Sequence, residues 1–273
     1  MRMGVRMAPR RRWVKLGRHA VGDRRSPWKP LRTVPTLPAM EAATVESLKR
    51  DAAAAALGYV ESGMALGLGT GSTVAHFLTL LGAAIANGSL SGIVGVPTSV
   101  RTGREARQAG IPVTGLREKP RLDLAVDGAD EVSPTLQLIK GMGGALLREK
   151  MVAQASDRFV IIGDGGKAVD RLGTLSPLPV EVVDWGWHVH ADFMRERGAQ
   201  VSVRSMEDGV PFKSDNGNLI LDCAFPDGIG DPEELEAALA RRAGVVETGL
   251  FLGMADEALL AADGGVRKLR RPG

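Results

Sequence analysis

The chain reads as an α/β protein: a mainly parallel, doubly wound sheet that carries an inserted α+β small domain. Three observations predict this. Short apolar runs alternate with helical stretches between residues 41 and 176, the pattern of strands joined by crossover helices. Several of those runs end in glycine turns placed like helix entrances, GLGTGST and KGMGGA among them. Beyond Pro177 the alternation changes to β-α-β-β-α-β, the order of the ferredoxin-like split unit. The expected division is a tail over 1–40, an α/β domain over 41–176 plus 251–269, and a small α+β domain over 177–250.

The tail is rich in Arg and Pro and shows neither apolar periodicity nor a secretory core, so disorder is expected. It competes as a targeting peptide, a basic binding arm, or a segment upstream of a true start at Met40. The last is preferred, because an alanine-dense helix, Glu41 to Val60, begins at once. Met64 to Leu68 reads as a strand, and Gly67 to Leu81 as strand end, glycine turn, cap and amphipathic helix. That turn lacks the Gly-Lys-Ser/Thr of a nucleotide P-loop, and Ser72 stands where a dinucleotide fingerprint needs its third glycine. Thr70, Gly71, Ser72 and Thr73 still place hydroxyls and amides at a helix start, which suits a phosphate monoester. Plain N-capping by Ser72 would look the same.

Strands are then expected at Ile93 to Val96, Ile111 to Leu116 and Leu122 to Val126, with a helix from Val100 to Ala109 between the first two. An extended segment, Leu136 to Ile139, leads into a helix from Ala145 to Ser156, and Phe159 to Ile162 is a further strand ending at Asp164-Gly165-Gly166-Lys167. In the small domain Val180 to Val183, Gln200 to Arg204, Leu219 to Cys223 and Val245 to Leu250 read as extended. His188 to Arg197 and Pro232 to Arg242 read as helices, and Phe251 to Val266 returns to the first sheet.

The chemistry concentrates in Asp127 to Lys150, DGADEVSPTLQLIKGMGGALLREK. Asp127 and Asp130 emerge where a buried strand gives way to a tight turn, the edge of an open α/β sheet at which ligands bind. A lone aspartate there is an ordinary Asx turn, but the pair beside Lys140 favours function. Glu149 stands in an Arg-Glu-Lys triplet that on most helices is a solvated face. At about 100° per residue, however, it shares an arc with Ala145, Leu146, Val152 and Ala153, while Lys150, Gln154 and Asp157 fall on a polar arc. A carboxylate among small apolar neighbours has its pKa raised by desolvation, as a general base requires.

Composition excludes several classes. No apolar run approaches the roughly 18 to 20 residues of a membrane span, so a soluble protein without membrane partners is expected. One cysteine, Cys223, rules out an internal disulfide and fits a reducing, cytoplasmic setting. Four histidines, His19, His76, His188 and His190, support no metal cluster; the last two read as structural and His76 as buried in its helix. Residues 1–40 hold eleven Lys/Arg against Asp23 alone, whereas residues 41–273 hold 24 basic against 31 acidic side chains. The body is acidic, and no nucleic-acid face is expected on it.

GLGTGST, VDGADEV, IKGMGGALLREK, the DGGK turn, LPVEV and VVETGLF, in this order, resemble ribose-5-phosphate isomerase of type A over about residues 41–269. The resemblance implies interconversion of D-ribose 5-phosphate and D-ribulose 5-phosphate in the pentose phosphate pathway, with neither metal nor organic cofactor, by a homodimer or homotetramer. It implies Glu149 as base, Lys140 as the lysine that steadies the enediolate, and Asp127 and Asp130 as aspartates engaging sugar hydroxyls and assisting ring opening and proton shuttling. Thr70, Gly71, Ser72, Thr73, the Asp127-Gly128-Ala129-Asp130 turn, Lys140, Gly141, Met142, Gly143 and Lys167 fall at substrate-contacting positions. Two residues depart from the family's habit: Met142 within a turn often written KGGGG, and Gly166 in place of a small hydroxylic residue. The rivals are a related sugar-phosphate deaminase or lactonase, which would want a histidine in the site, and a non-catalytic sugar-phosphate sensor, which would not need Glu149.

Overall fold

The computed structural model describes residues 42–271; the disordered-tail and Met40-start readings lie outside the described residues. Helix α1 (Ala42–Leu57) buries Leu48, Ala52, Ala53 and Ala56, small side chains that let it lie close to the sheet. Then follow β1 (Ala65–Leu68), α2 (Ser72–Ala86), β2 (Val94–Pro97), α3 (Val100–Gln108) and β3 (Leu124–Gly128). Two short strands, β4 (Glu131–Val132) and β5 (Leu138–Ile139), precede α4 (Leu146–Gln154) and β6 (Phe159–Asp164). The next unit is β7 (Leu178–Val182), α5 (His188–Arg195), β8 (Gln200–Val203), β9 (Leu219–Ala224), α6 (Pro232–Ala240) and β10 (Val245–Thr248), and the chain closes with β11 (Leu250–Phe251), β12 (Glu257–Ala262) and β13 (Gly265–Arg270).

The main sheet has the order β13-β12-β6-β3-β1-β2, parallel throughout except for the edge hairpin of β12 and β13. Side chains alternate across it. Leu66, Leu68, Leu124, Val126, Val160 and Ile162 pack with α1 and α2 on one face. Ala65, Ala125, Phe159 and Ile161 pack with Val152 and Ala153 of α4 and with Phe251 on the other. The second face is thus covered by one helix and a three-stranded sheet, β11-β5-β4. A separate four-stranded antiparallel sheet, β10-β7-β9-β8, carries α5 and α6 over its own core of Leu178, Val180, Leu219, Leu221 and Cys223. Its order is that of the ferredoxin-like unit. Pro232 opens α6 behind an Asp231 cap that accepts from Glu234 N at 2.8 Å, the start that Asp-Pro predicts.

Five local expectations change. Ile111 to Leu116 is not a strand: only Val113 bridges Gly95, because Pro112 has no N–H and Gly115 turns away. Leu136 is not extended but sits at φ 59° in the hairpin between β4 and β5. His76 is only half-buried and pairs with Glu46 at 2.9 Å. Lys150 leaves the polar arc and is buried against Phe251, with Glu247 at 2.6 Å. Ser72 is not the N-cap of α2; Gly71 is, at φ 138°, with no side chain capping the first turn.

In the main sheet the chain runs from β1 outward to β2, then crosses back to place β3 on the other side of β1. The C-terminal ends of β1 and β3 therefore border the crevice where an open α/β sheet binds ligands.

Candidate active site

Asp127 is the next-to-last residue of β3 and is buried. Its Oδ1 accepts from Thr70 N at 3.0 Å and Gly128 N at 2.7 Å, which ties the ends of β1 and β3 together. Only glycine fits at 69, since a β-carbon there would lie 2.1 Å from that oxygen. The other oxygen, Oδ2, faces Lys140 Nζ at 3.0 Å.

Lys140 leaves β5 with its side chain 2% exposed. Its backbone N donates to Gly249 O at 2.9 Å, while Nζ donates to Gly128 O and lies 5.4 Å from the Phe251 ring centroid. Glu149 reaches the same ammonium from α4, Oε2 to Nζ at 3.3 Å. Asp127 Oδ2 and Glu149 Oε2 are both within ion-pair distance of Nζ, yet neither has a hydrogen bond in line. Two buried carboxylates thus share one cation, which also donates to the Gly128 carbonyl.

This arrangement sets the protonation of the site. Burial pushes the Glu149 carboxyl up to about 8, Asp127 adds to the rise, and Lys140 only partly opposes it. Burial also raises Asp127 above the usual carboxylate range against the pull of Lys140 and two backbone amides. For Lys140 burial alone would favour the neutral amine, but Asp127 and Glu149 overcome it and hold the ammonium above its ordinary value. At neutral pH the cluster is therefore an ammonium with a carboxyl poised to exchange a proton.

The cluster borders a cavity of about 370 Å³. Glu149, Lys140, Asp130, Gly128, Ala129, Gly141 and Gly143 line it together with Thr70, Gly71, Ser72, Thr73 and Lys167, so most of the sequence-derived residues converge. Two do not. Asp127 does not line the cavity, its Oδ1 held by two backbone amides and its Oδ2 paired with Lys140, and the Met142 side chain is exposed while its N–H donates to Asp130 Oδ2 at 3.0 Å. Met142 does not take a positive φ; Gly141 at 108° and Gly144 at 78° make the turn, so the departure at 142 is tolerated. Gly166 lines the cavity and donates its N–H to Asp164 Oδ1 at 3.0 Å, without the hydroxyl that the resemblance would place there.

Lys49 and Asp164 were not anticipated as cavity residues. A signal for Lys49 was present: it precedes Ala52, Ala53 and Ala56 by three, four and seven residues, so it lies on the apolar stripe of α1. The uncapped first turn of α2, Lys167, and Lys49, whose Nζ pairs with Glu46 Oε1 at 2.6 Å, border the cavity together and offer donors that suit an anion.

A hydroxyl cluster supports this wall from below. Thr70 Oγ1 lies 2.8 Å from Thr98 Oγ1, 3.0 Å from Ser99 Oγ and 3.0 Å from Thr102 Oγ1, and Thr102 Oγ1 donates to Gly69 O at 2.9 Å. Hydroxyls that satisfy one another keep a buried polar turn in one conformation.

Residues 94–265 match the sequence model of ribose 5-phosphate isomerase A (phosphoriboisomerase A). A ribose-5-phosphate isomerase A of Roseiflexus castenholzii is 52% identical over 224 residues, covering 82% of this chain and 95% of the relative. One from Gloeobacter violaceus is 49% identical over 226 residues, 82% of this chain and 96% of the relative. Among solved structures, a D-ribose-5-phosphate isomerase in complex with phospho-erythronic acid superposes with TM-score 0.81 at 41% identity, covering 83% of this chain and 99% of that one. The Plasmodium falciparum ribose 5-phosphate isomerase gives 0.80 at 37% identity, covering 84% and 100%. By sequence and by fold, the chain belongs to the ribose 5-phosphate isomerase A family.

Proposed function

We propose that the protein interconverts D-ribose 5-phosphate and D-ribulose 5-phosphate through an enediolate, with Glu149 as the group that carries the proton between carbons. The observation that carries this reading is one buried carboxyl, pushed up to about 8, that lines the cavity 3.3 Å from a buried ammonium. The substrate phosphate is assigned to the amides of Ser72 and Thr73 with Lys49 and Lys167, and the open-chain sugar extends toward Glu149. Glu149 removes the C2 proton, and the electron pair moves through C1 to O1. Lys140 faces the developing oxyanion. The O2 proton passes to O1, with Asp130 as its carrier, and Glu149 returns its proton to C1. Asp127 acts on the reaction through Lys140, which it holds in place. A preorganised cation where charge develops is typically the largest catalytic contribution.

Incubating the protein with ribose 5-phosphate and following ribulose 5-phosphate tests the reading; no product at any pH between 6 and 9 would sink it. No histidine lines the cavity among the described residues, which disfavours the deaminase and lactonase readings.

The pH dependence follows from the base. Because its conjugate acid titrates near 8 in the empty protein, kcat/KM is expected to rise about tenfold per pH unit below that value and level off above it. A profile flat from pH 6 to 9 would contradict it. Substituting Lys49 or Lys167 with alanine is expected to raise KM for ribose 5-phosphate by about 10–100-fold with a smaller change in kcat. An unchanged KM in both variants would move the phosphate elsewhere.

We further propose a homo-oligomer, dimer or tetramer, supported by the exposed apolar group Val183, Trp185 and Val189, with Trp185 91% exposed; a monomer by light scattering would refute it. A cytoplasmic setting is supported by the single, buried cysteine, and among the described residues no helix is long and apolar enough to cross a membrane. Cell fractionation checks it. The division into 41–176 plus 251–269 and 177–250 is supported by the separate four-stranded sheet and its core, and hydrogen exchange resolving two opening units would check it.

A further inference from the structure

The turn from Gly141 to Gly144 is gripped from the four-stranded layer by one side chain. Arg204, just past β8, donates through Nη1 to the carbonyl oxygens of Gly141 at 2.8 Å and Met142 at 3.0 Å. The other edge of its guanidinium forks onto Asp222 of β9, Nε to Oδ2 at 3.0 Å and Nη2 to Oδ1. Arg204 and Asp222 are both largely buried, so this is a desolvated fork rather than a surface pair. Phe212, whose N–H donates to the Arg204 carbonyl at 2.8 Å, closes on the same turn: a β-carbon on Gly144 would fall 2.6 Å from its Cζ.

The consequence comes from peptide planarity. In a trans peptide the C=O and the following N–H point opposite ways, and no cis bonds occur among the described residues. The peptide joining Gly141 to Met142 has its carbonyl on Arg204 and its N–H on Asp130 Oδ2 at 3.0 Å. The next peptide also has its carbonyl on Arg204, so the Gly143 N–H is turned away from the guanidinium. Gly143 lines the cavity with Thr70, Lys140 and Glu149.

We propose that Arg204, held by Asp222, is a positioning residue for the isomerisation: it orients two consecutive peptides so that one anchors Asp130 and the other presents the Gly143 amide to the reacting end of the sugar phosphate. The inference rests on the isomerase reading above. It requires arginine in particular, because one planar guanidinium must serve two carbonyls and a carboxylate at once, which a lysine ammonium cannot do in the same plane.

The test compares Arg204→Ala, Arg204→Lys and Asp222→Asn with wild type. In Arg204→Ala, kcat for ribose 5-phosphate is expected to fall about 10–100-fold while KM moves less than about threefold. Arg204→Lys and Asp222→Asn should lie between. Inhibition by inorganic phosphate should be unchanged in all three, since Lys49, Lys167 and the α2 amides are untouched. Wild-type turnover with a near-wild-type kcat in Arg204→Ala overturns the inference alone. So does a loss of kcat matched by an equal loss of phosphate inhibition and of Tm, which would mark a general structural role. If the wild type made no ribulose 5-phosphate, the functional reading and this inference would fall together.

Discussion

Glu149→Gln is expected to lower kcat by about 10³–10⁴-fold while leaving phosphate and substrate binding close to wild type. The glutamine keeps the shape of the side chain in its apolar arc but its amide cannot accept the substrate's proton. Near-normal turnover would remove Glu149 from the mechanism. The same variant carries a stability signature. The folded carboxyl titrates at about 8, well above its ordinary 4.5, because burial disfavours its charge. Between those pH values the folded protein holds a proton that the unfolded chain has released, so wild-type stability falls as pH rises through that window. The glutamine variant escapes this loss. Above pH 8 it should be more stable than wild type by on the order of 1 kcal/mol or more, about 2–4 °C in Tm for a chain of this size. Near pH 4 the difference should vanish. A variant less stable than wild type at pH 9 would contradict the burial argument even if activity were lost.

Lys140→Met is expected to have the second largest effect. It removes the cation from the developing oxyanion, a loss of about 10²–10³-fold in kcat by analogy with other oxyanion partners. It also leaves Asp127 Oδ2 and Glu149 Oε2, already without an in-line hydrogen bond, with no counter-charge. Removing one partner from a buried ionic cluster costs about 3–5 kcal/mol. The deficit should be largest at pH 8, where the carboxylates are most charged, and smaller near pH 5.5, where protonation of either relieves the burial. Denaturant midpoints at the two pH values measure this; an equal deficit at both would show that lost packing against Phe251, rather than charge, is responsible. Adding Glu149→Gln should restore part of the stability and none of the activity.

The order of these two effects reflects what each group supplies. A proton acceptor at carbon is needed in every turnover: Asp130 is assigned to the hydroxyl proton and is anchored through Oδ2 by the Met142 amide, and Asp127 pairs with Lys140 and does not line the cavity. The oxyanion partner is stabilising rather than chemically indispensable, because the Gly143 amide remains as a donor.

Much of this was readable without coordinates. Short continuous apolar runs separated by helical stretches specify strands buried on both faces, and that pattern carries the main sheet from β1 to β6. The angular position of Glu149 among Ala145, Leu146, Val152 and Ala153 predicted its burial, since helix geometry alone puts it on the packed side. The same reasoning failed one residue later. Lys150 falls on the polar arc, yet the four-stranded layer arrives there with Glu247 and buries it. Lys49 was overlooked although its spacing to three buried alanines was legible, because a lone lysine on a helix is ordinarily solvated.

Local chemistry written along the chain determined the strands, the glycine turns, the paired aspartates and the sheltered glutamate, because each depends on neighbours within a turn or two of helix or strand. Only the tertiary structure decided that Asp127 steadies a lysine rather than facing the cavity, that Lys49 joins Lys167 beside α2, and that Arg204 grips a turn 63 residues away in sequence. The reason is physical: these are through-space contacts set by how separate layers pack, and no periodicity within a segment encodes which distant side chain will fill the space beside it.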